Sequence, residues 1–500
     1  TDVSDKTVAY VNEHMDTLSG ISVNEDMIRK YNYSEYFSSI IGYTGPISES
    51  EYTALHKKNK DYTQNDTVGK AGLEQYYETY LRGKNGEQKF YIDNVGRISE
   101  IISSTDSVAG DDLYLSIDAD LQKATYLALQ NEIAAIVYSN IKSGEIPIND
   151  VYTALIGNSV INTEHFSKSK ASDTEKSVLS VFKSRQKTTL GKIKQELTSS
   201  PEALNTMSDE VLDEFTYIIS MLKDDQVLLK NEIDTSDSVY QKWKDQKISP
   251  KEYLNYCITQ HWIDISQLNV DEKYADSTEV YDALCKYILK NIKTDTEFSK
   301  IIYQYMITRG EISPRQLCLI LFDQGVLDYD DATVNKLKNG SLSPRDFLMK
   351  KIYNIEITPA QLALEPCIGS CVVTDEKTGE IRAMVSYPGY DSNKLANGVD
   401  SEYFASLQHD KSSPLLNYAT QQKTAPGSTF KLVSATAGLA ENVITTSDQI
   451  RCTGIYNDIS NKPKCWIYPG SHGLDNVFEA IRDSCNVFFY TCLLYTSPSP

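Results

Sequence analysis

The sequence predicts a multidomain α+β protein, and three changes of texture carry that reading. Glycine- and turn-rich stretches fill residues 1–110, a glycine-poor segment with helical periodicity runs from about 145 to 358, and β-rich runs return after Cys367. Such shifts within 500 residues argue for separate structural units rather than one continuous fold.

In the first segment, Glu74, Glu78 and Arg82 recur at helical spacing within a glycine-dense stretch (Gly69, Gly72, Gly83, Gly86). That spacing predicts a charged ladder on the exposed face of a short helix. Leu113, Leu115 and Ile117 alternate as in a strand, and Asp118 or Asp120 is placed to cap a helix running from about Leu121 to Ser143. Within 145–358, Leu212, Phe215, Ile218 and Ile219 form one apolar stripe and Leu284, Tyr287, Ile288 and Ile292 another. They predict an all-α segment with its own core, without a fixed repeat or a catalytic constellation. After Cys367, Ser370–Thr374 and Ile381–Ser386 read as a hairpin turning at Asp375–Gly379.

Composition excludes some classes. Lysine and arginine number 49 against 69 aspartates and glutamates, a net charge of −20, with no basic stripe to track a phosphate backbone. Nucleic acid is therefore not an expected partner. No apolar run approaches the roughly 20 residues a bilayer-crossing helix needs. Thr1 opens no signal-like segment, which leaves a cytosolic protein or one whose N-terminal anchor lies outside this sequence. Nine cysteines cannot all pair with one another. Cys452 and Cys465 bracket a turn-rich loop and are either a disulfide or two buried thiols. Cys367 and Cys371 lack a nearby histidine or second cysteine pair, so no metal site is expected.

The residues that carry chemistry begin at Ala425-Pro426-Gly427-Ser428-Thr429-Phe430-Lys431. Pro-Gly breaks the chain, and Ser428 then opens a helix expected to bury Phe430, Val433 and Ala437. Lys431 lies three residues on, so its amine returns over the face that holds the Ser428 hydroxyl. A serine hydroxyl needs an adjacent base, and a lysine serves once burial and the positive helix end disfavour its charge. Ser139/Lys142, Ser167/Lys170 and Ser180/Lys183 share the Ser-x-x-Lys spacing but sit on polar helical surface. Ser428 differs in its Pro-Gly entry and in a second element, Ser484-Cys485-Asn486. That element follows a short helix capped by Asp475, with Val477, Ala480 and Ile481 facing inward, and precedes the apolar run Val487–Tyr490. A polar Ser-x-Asn between buried segments must satisfy its side chains, and a catalytic cleft is one place to do so.

Ser428-Thr429-Phe430-Lys431 followed by Ser484-Cys485-Asn486 resembles the ordered motifs of the penicillin-binding proteins and their β-lactamase relatives. Gly42-Tyr43-Thr44-Gly45 and the Gly69–Gly86 stretch resemble the pedestal, or dimerisation, domain of class B members. Asp111–Leu121 resembles its junction with the transpeptidase domain, and Gly369–Ser386 that domain's opening hairpin. The resemblance covers roughly residues 20–140 and 360–490. It implies a pedestal at 1–110, a discontinuous transpeptidase domain of helices on an antiparallel sheet at 111–144 plus 359–500, and an all-α insertion at 145–358. The implied activity is peptidoglycan cross-linking by a serine-type D-Ala-D-Ala transpeptidase that also binds penicillin. Ser428 would be the nucleophile, Lys431 its base, Ser484 a proton relay and Asn486 a ligand for the substrate amide, with no metal or organic cofactor. Implied partners are stem peptides, β-lactams, a membrane glycan polymerase and a second copy in a homodimer. The implied place is the extracytoplasmic face of the bacterial membrane, on an N-terminal transmembrane anchor.

One departure stands out. The family's Lys-Thr/Ser-Gly strand follows the Ser-x-Asn element, whereas Lys377-Thr378-Gly379 and Lys142-Ser143-Gly144 lie upstream and read as a turn and a helix end. Residues from Leu494 to Pro500 look foreign to the fold. The chain is therefore expected to be C-terminally truncated and to have little activity of its own. Competing readings are a serine β-lactamase or β-lactam sensor, and a non-enzymatic cell-wall scaffold.

Overall fold

Element boundaries in the computed structural model follow local chemistry; it describes the chain apart from residues 1–2, 15–16, 19–20, 22, 24–27, 93–97, 200–201, 269, 271–275 and 497–500. The chain divides into two units, Thr1–Gln421 and Gln422–Pro500. Helices and small antiparallel sheets coexist, a multidomain α+β architecture.

In the first unit β1 (Thr44–Pro46) pairs with β2 (Thr67–Gly69), β3 (Glu87–Ile92) with β4 (Ile98–Thr105), and β5 (Gly369–Thr374) with β6 (Ile381–Tyr387). The expected ladder of Glu74, Glu78 and Arg82 is not a solvated face. Glu74 is only 5% exposed and accepts both Arg29 Nε at 2.8 Å and Arg29 Nη2 at 2.9 Å. Glu78 accepts the Gly69 N–H at 2.7 Å and the Tyr62 hydroxyl at 3.2 Å, and Arg82 pairs with Asp66. The cause is a close backbone approach: a Cβ on Gly69 would lie 2.1 Å from the Glu74 carbonyl. Only glycine permits that contact, which turns the carboxylates inward.

The helix Ala119–Ser143 starts where the Asp118 carboxylate accepts the Leu121 N–H and ends at Gly144 in the left-handed conformation. Its buried Gln122 side chain donates to the carbonyls of Tyr36 and Met384 and accepts the Met384 N–H. This satisfies the amide while fastening the helix to β6. The segment before it is not the expected strand. Leu113, Tyr114 and Leu115 are all exposed, so their alternation has no face to bury. Ser116 Oγ donates to the Ile381 carbonyl and Asp118 N–H to that of Arg382, outside any regular ladder.

The two ends of this unit are stitched together. The Asn397 amide pairs with the backbone of Arg29, and that of Asn393 with the backbone of Tyr31, each giving and receiving one hydrogen bond. The Ser34 hydroxyl accepts from Ser392 N–H, and Ser38 from Tyr390 N–H.

Between Ile148 and Leu362 the described residues form helices and short 3-10 turns around one large apolar cluster. Phe215, Ile218 and Ile219 are buried there, as are Leu284, Ile288 and Ile292. Leu212 and Tyr287 pack against the cluster from its edge. Four helices enter alike, although their irregular spacing offers no fixed period. Ser249-Pro250, Ser313-Pro314, Ser343-Pro344 and Thr358-Pro359 each place a hydroxyl cap ahead of a first-turn proline. The cap satisfies an orphan N–H, and proline occupies a position that needs none. Lys142–Gly144 closes a helix and Lys377–Gly379 lies in the β5–β6 turn. No helix among the described residues is long and apolar enough to cross a membrane.

Candidate active site

The second unit is a small α+β assembly. The helix Phe430–Ala440 packs on the helix Asn486–Thr496, beside β7 (Ile450–Cys452) paired with β8 (Gly473–Asp475). The helix Val477–Arg482 is capped by Asn476 rather than Asp475, which ends β8 instead. Val477 and Ala480 are buried while Ile481 is largely exposed. Val487, Phe488 and Phe489 are buried at the start of the last helix.

The expected apolar stripe of the helix after Ser428 is rotated. Phe430 and Val433 are 44% and 55% exposed, Ala437 is exposed, and the buried residues are Ser434, Ala435 and Gly438. Small side chains allow the close seat: a Cβ on Gly438 would already meet Ile444 at 3.1 Å. Periodicity reports a helix's apolar side, but steric fit selected the side with the smallest residues.

Gly427 takes φ of +58°, in the left-handed region, and starts a 3-10 turn, Gly427–Thr429, that leaves the Ser428 side chain exposed. Lys431 follows in the first helical turn. Its Nζ donates to the Ser484 carbonyl at 2.7 Å, to Ser484 Oγ at 2.9 Å and to Asn486 Oδ1 at 2.7 Å. Ser484 Oγ in turn donates to Ser428 Oγ at 3.2 Å. The structure thus brings Ser428, Lys431, Ser484 and Asn486 into one hydrogen-bonded chain, in which lysine reaches Ser428 through Ser484. Three acceptors fill all three donors of an ammonium group. Burial depresses the Lys431 pKa, while the sulfurs of Cys465 and Cys485 pull it back up. Ser484 itself sits at φ of +48°, a conformation that non-glycine residues adopt at a cost of about 1–3 kcal/mol and that clusters at functional sites.

Behind Asn486 lies a group absent from the sequence expectations. One ligand atom each from Cys452, Cys465, His472 and Cys485 lie within 4.8 Å of one another. All nine cysteines are free thiols, so Cys452 and Cys465 are not bridged. The Asn486 N–H donates to Cys465 Sγ at 3.4 Å, and its Nδ2 donates to the Lys464 carbonyl at 3.3 Å. Burial raises the Cys465 pKa, but the N–H groups of Asn486, Ile467 and Val487 outweigh it and bring the net shift down. Burial drives Cys485 upward. Three sulfurs and an imidazole whose buried Nε2 has no partner among the described residues fit a tetrahedral ion such as zinc. Such an ion would tie β7, the 465–472 loop and the Ser484–Asn486 turn together as a structural brace. No Cys-x-x-Cys pair announces the set, because its four members come from four separate segments; only His472 beside three cysteines in Cys452–Cys485 hinted at it.

Two family models match the chain: the penicillin-binding protein dimerisation domain over residues 1–115 and the penicillin binding protein transpeptidase domain over residues 369–496. A peptidoglycan D,D-transpeptidase, MrdA, of Salmonella typhimurium is 31% identical over 130 residues, 26% of this chain and 21% of that protein. Penicillin-binding protein 2A of Bacillus subtilis is 35% identical over 136 residues, 27% of this chain and 19% of that protein. Among solved structures, Pseudomonas aeruginosa PBP2 is 30% identical over 26% of this chain and 28% of its own, with a TM-score of 0.25. The matches to the two curated relatives thus span only about a fifth of their lengths. Both modules of the penicillin-binding proteins are thus matched, the dimerisation module over residues 1–115 ahead of the transpeptidase module over 369–496.

Proposed function

We propose that the protein is a peptidoglycan cross-linking D,D-transpeptidase working through an acyl-enzyme on Ser428. The observation that carries this reading is the hydrogen-bonded chain from Lys431 through Ser484 to an exposed Ser428 hydroxyl. In the proposed cycle Lys431, once neutral, draws the Ser428 proton through Ser484. Ser428 Oγ attacks the carbonyl of the penultimate D-Ala of a stem peptide, with its own N–H as one oxyanion donor. The C–N bond breaks, Ser484 passes the proton to the leaving amine, and the terminal D-Ala departs. An amine of a neighbouring stem peptide then displaces Ser428 and forms the cross-link. Asn486 holds Lys431 and exchanges its Lys464 carbonyl contact for the substrate's backbone amide. β-Lactams would acylate the same serine. The reading extends to an extracytoplasmic position on an N-terminal membrane anchor, a membrane glycan polymerase as partner, and self-association as a homodimer.

Labelling the gene product with a fluorescent penicillin and mapping the adduct tests the reading. The label is expected on Ser428 and absent from Ser428→Ala; a label on another residue would reject the assignment.

The domain reading is part of the same proposal: a pedestal at 1–110, a transpeptidase domain at 111–144 plus 359–500, and an insertion at 145–358. Its support is that the segment's ends lie side by side, with Asn158 Nδ2 donating to the Leu362 carbonyl and Arg345 Nη2 to that of Ile141 at 3.4 Å. Replacing 145–358 by a short Gly/Ser linker should leave penicillin labelling intact. Loss of a cooperative unfolding transition in the remainder would show that the segment belongs to its core.

A further inference from the structure

We propose that Cys452 and Cys465 form a reversible thiol-modification site, closing to a disulfide that releases the turn carrying Ser484 and Asn486. Three observations carry it. The sulfurs of Cys452, Cys465 and Cys485 lie within 4.8 Å of one another, all unbridged. Cys465 Sγ holds the catalytic turn directly, through the Asn486 N–H at 3.4 Å. That turn includes a non-glycine residue at positive φ, Ser484, so it keeps its shape only while its surroundings impose it.

Cys452 and Cys465 are the pair best placed to close. Cys452 ends β7 opposite Gly473, and the chain between the two cysteines is a surface loop whose residues 457–462 are exposed. Cys485 is held as well, its sulfur accepting the Phe488 N–H at 3.5 Å at the start of the last helix. A disulfide requires the sulfurs to approach to about 2.05 Å. Cys465 Sγ therefore moves toward Cys452 and loses its place under the Asn486 N–H. Asn486 Oδ1 is one of three acceptors that fix Lys431, so displacement of the turn propagates to the lysine.

A low-molecular-weight disulfide is the oxidant. The Cys465 thiolate attacks one of its sulfurs, forming a mixed disulfide and expelling one thiolate. Cys452 then attacks Cys465 Sγ, forms the internal bond and expels the second thiolate. Two protons leave the protein with the two released thiols, and the small disulfide is reduced. A metal ion held by the same cysteines would compete with this exchange, so zinc and oxidation act in opposite directions on one turn.

The consequence for acylation rests on the transpeptidase reading, whereas the thiol chemistry does not. The test uses the full chain, reduced, with and without one equivalent of zinc, then treated with oxidised glutathione. Disulfide mapping should return a Cys452–Cys465 peptide, formed more slowly when zinc is present. Hydrogen exchange in the peptide spanning 484–488 should rise on oxidation and return after reduction. Penicillin labelling should fall about tenfold, the equivalent of one hydrogen bond at the site. Cys452→Ser should form no internal bond and should instead retain the small thiol as a mixed disulfide on Cys465. The proposal is overturned if the two thiols stay reduced, or if the disulfide forms without altering exchange at 484–488. Should the reduced protein take up no penicillin, mapping with exchange still decides the thiol switch.

Discussion

Lys431→Ala is expected to lower penicillin acylation by about 10²–10⁴-fold, the usual contribution of a positioned general base. The wild-type rate should rise with pH as Lys431 loses its proton. Burial lowers the lysine pKa, so that rise should fall below the range of an ordinary lysine. In Lys431→Ala the limb should disappear, and in Lys431→Arg it should also be lost because guanidinium does not deprotonate. Stopped-flow or gel-based labelling across pH measures both effects. An unchanged pH limb in Lys431→Ala would move the base to another residue.

Glu214→Gln should stabilise the helical segment at neutral pH by about 3 kcal/mol, taking 1.36 kcal/mol per pKa unit. Glu214 is 1% exposed on the helix Asp209–Asp224, and its Oε1 has no hydrogen-bond partner among the described residues. Burial, reinforced by the nearby Glu210 carboxylate, pushes its pKa up to about 8 against the opposing charges of Lys192 and Arg185, with Asp213 adding to the rise. The sign follows from proton uptake. Between the ordinary glutamate value near 4.5 and 8 the folded chain holds a proton that the unfolded chain has lost, so stability declines as pH rises through that window. Denaturant unfolding at the two ends of the window should show a loss in the wild type and little change in Glu214→Gln. Equal pH dependence in both would mean that the carboxylate is solvated.

Much of the architecture was legible in the sequence because it rests on local signals. The β5–β6 hairpin has two β-rich runs joined by the turn Asp375–Gly379, the long helix has its Asp118 cap and Gly144 stop, and the apolar stripes marked buried helices. What escaped was decided by long-range contact. Glu74 and Arg82 carry the same spacing as a solvated ladder, and only the tight approach at Gly69 turns them inward. Leu113, Leu115 and Ile117 alternate without a neighbouring strand to pair with. Phe430 and Val433 look like core by composition, yet Ala435 and Gly438 occupy it because they allow closer packing. At the candidate site, Ser428, Lys431, Ser484 and Asn486 stood out by order and context. His472 and the three surrounding cysteines did not, since their convergence depends on how β7 and β8 bring distant segments together.

The stitching of Arg29, Tyr31, Ser34 and Ser38 to residues 390–397 has a consequence for how the chain matures on the ribosome. Its partners are separated by more than 350 positions: Ser38 from Tyr390 by 352, and Arg29 from Asn397 by 368. At roughly 5–20 residues per second, the early segment waits on the order of 20–70 s before its partners are translated. The intervening helices, whose contacts are nearer in sequence, can collapse meanwhile around their own cluster. The segment Arg29–Ser38 is therefore completed only after the helices between it and its partners have been made.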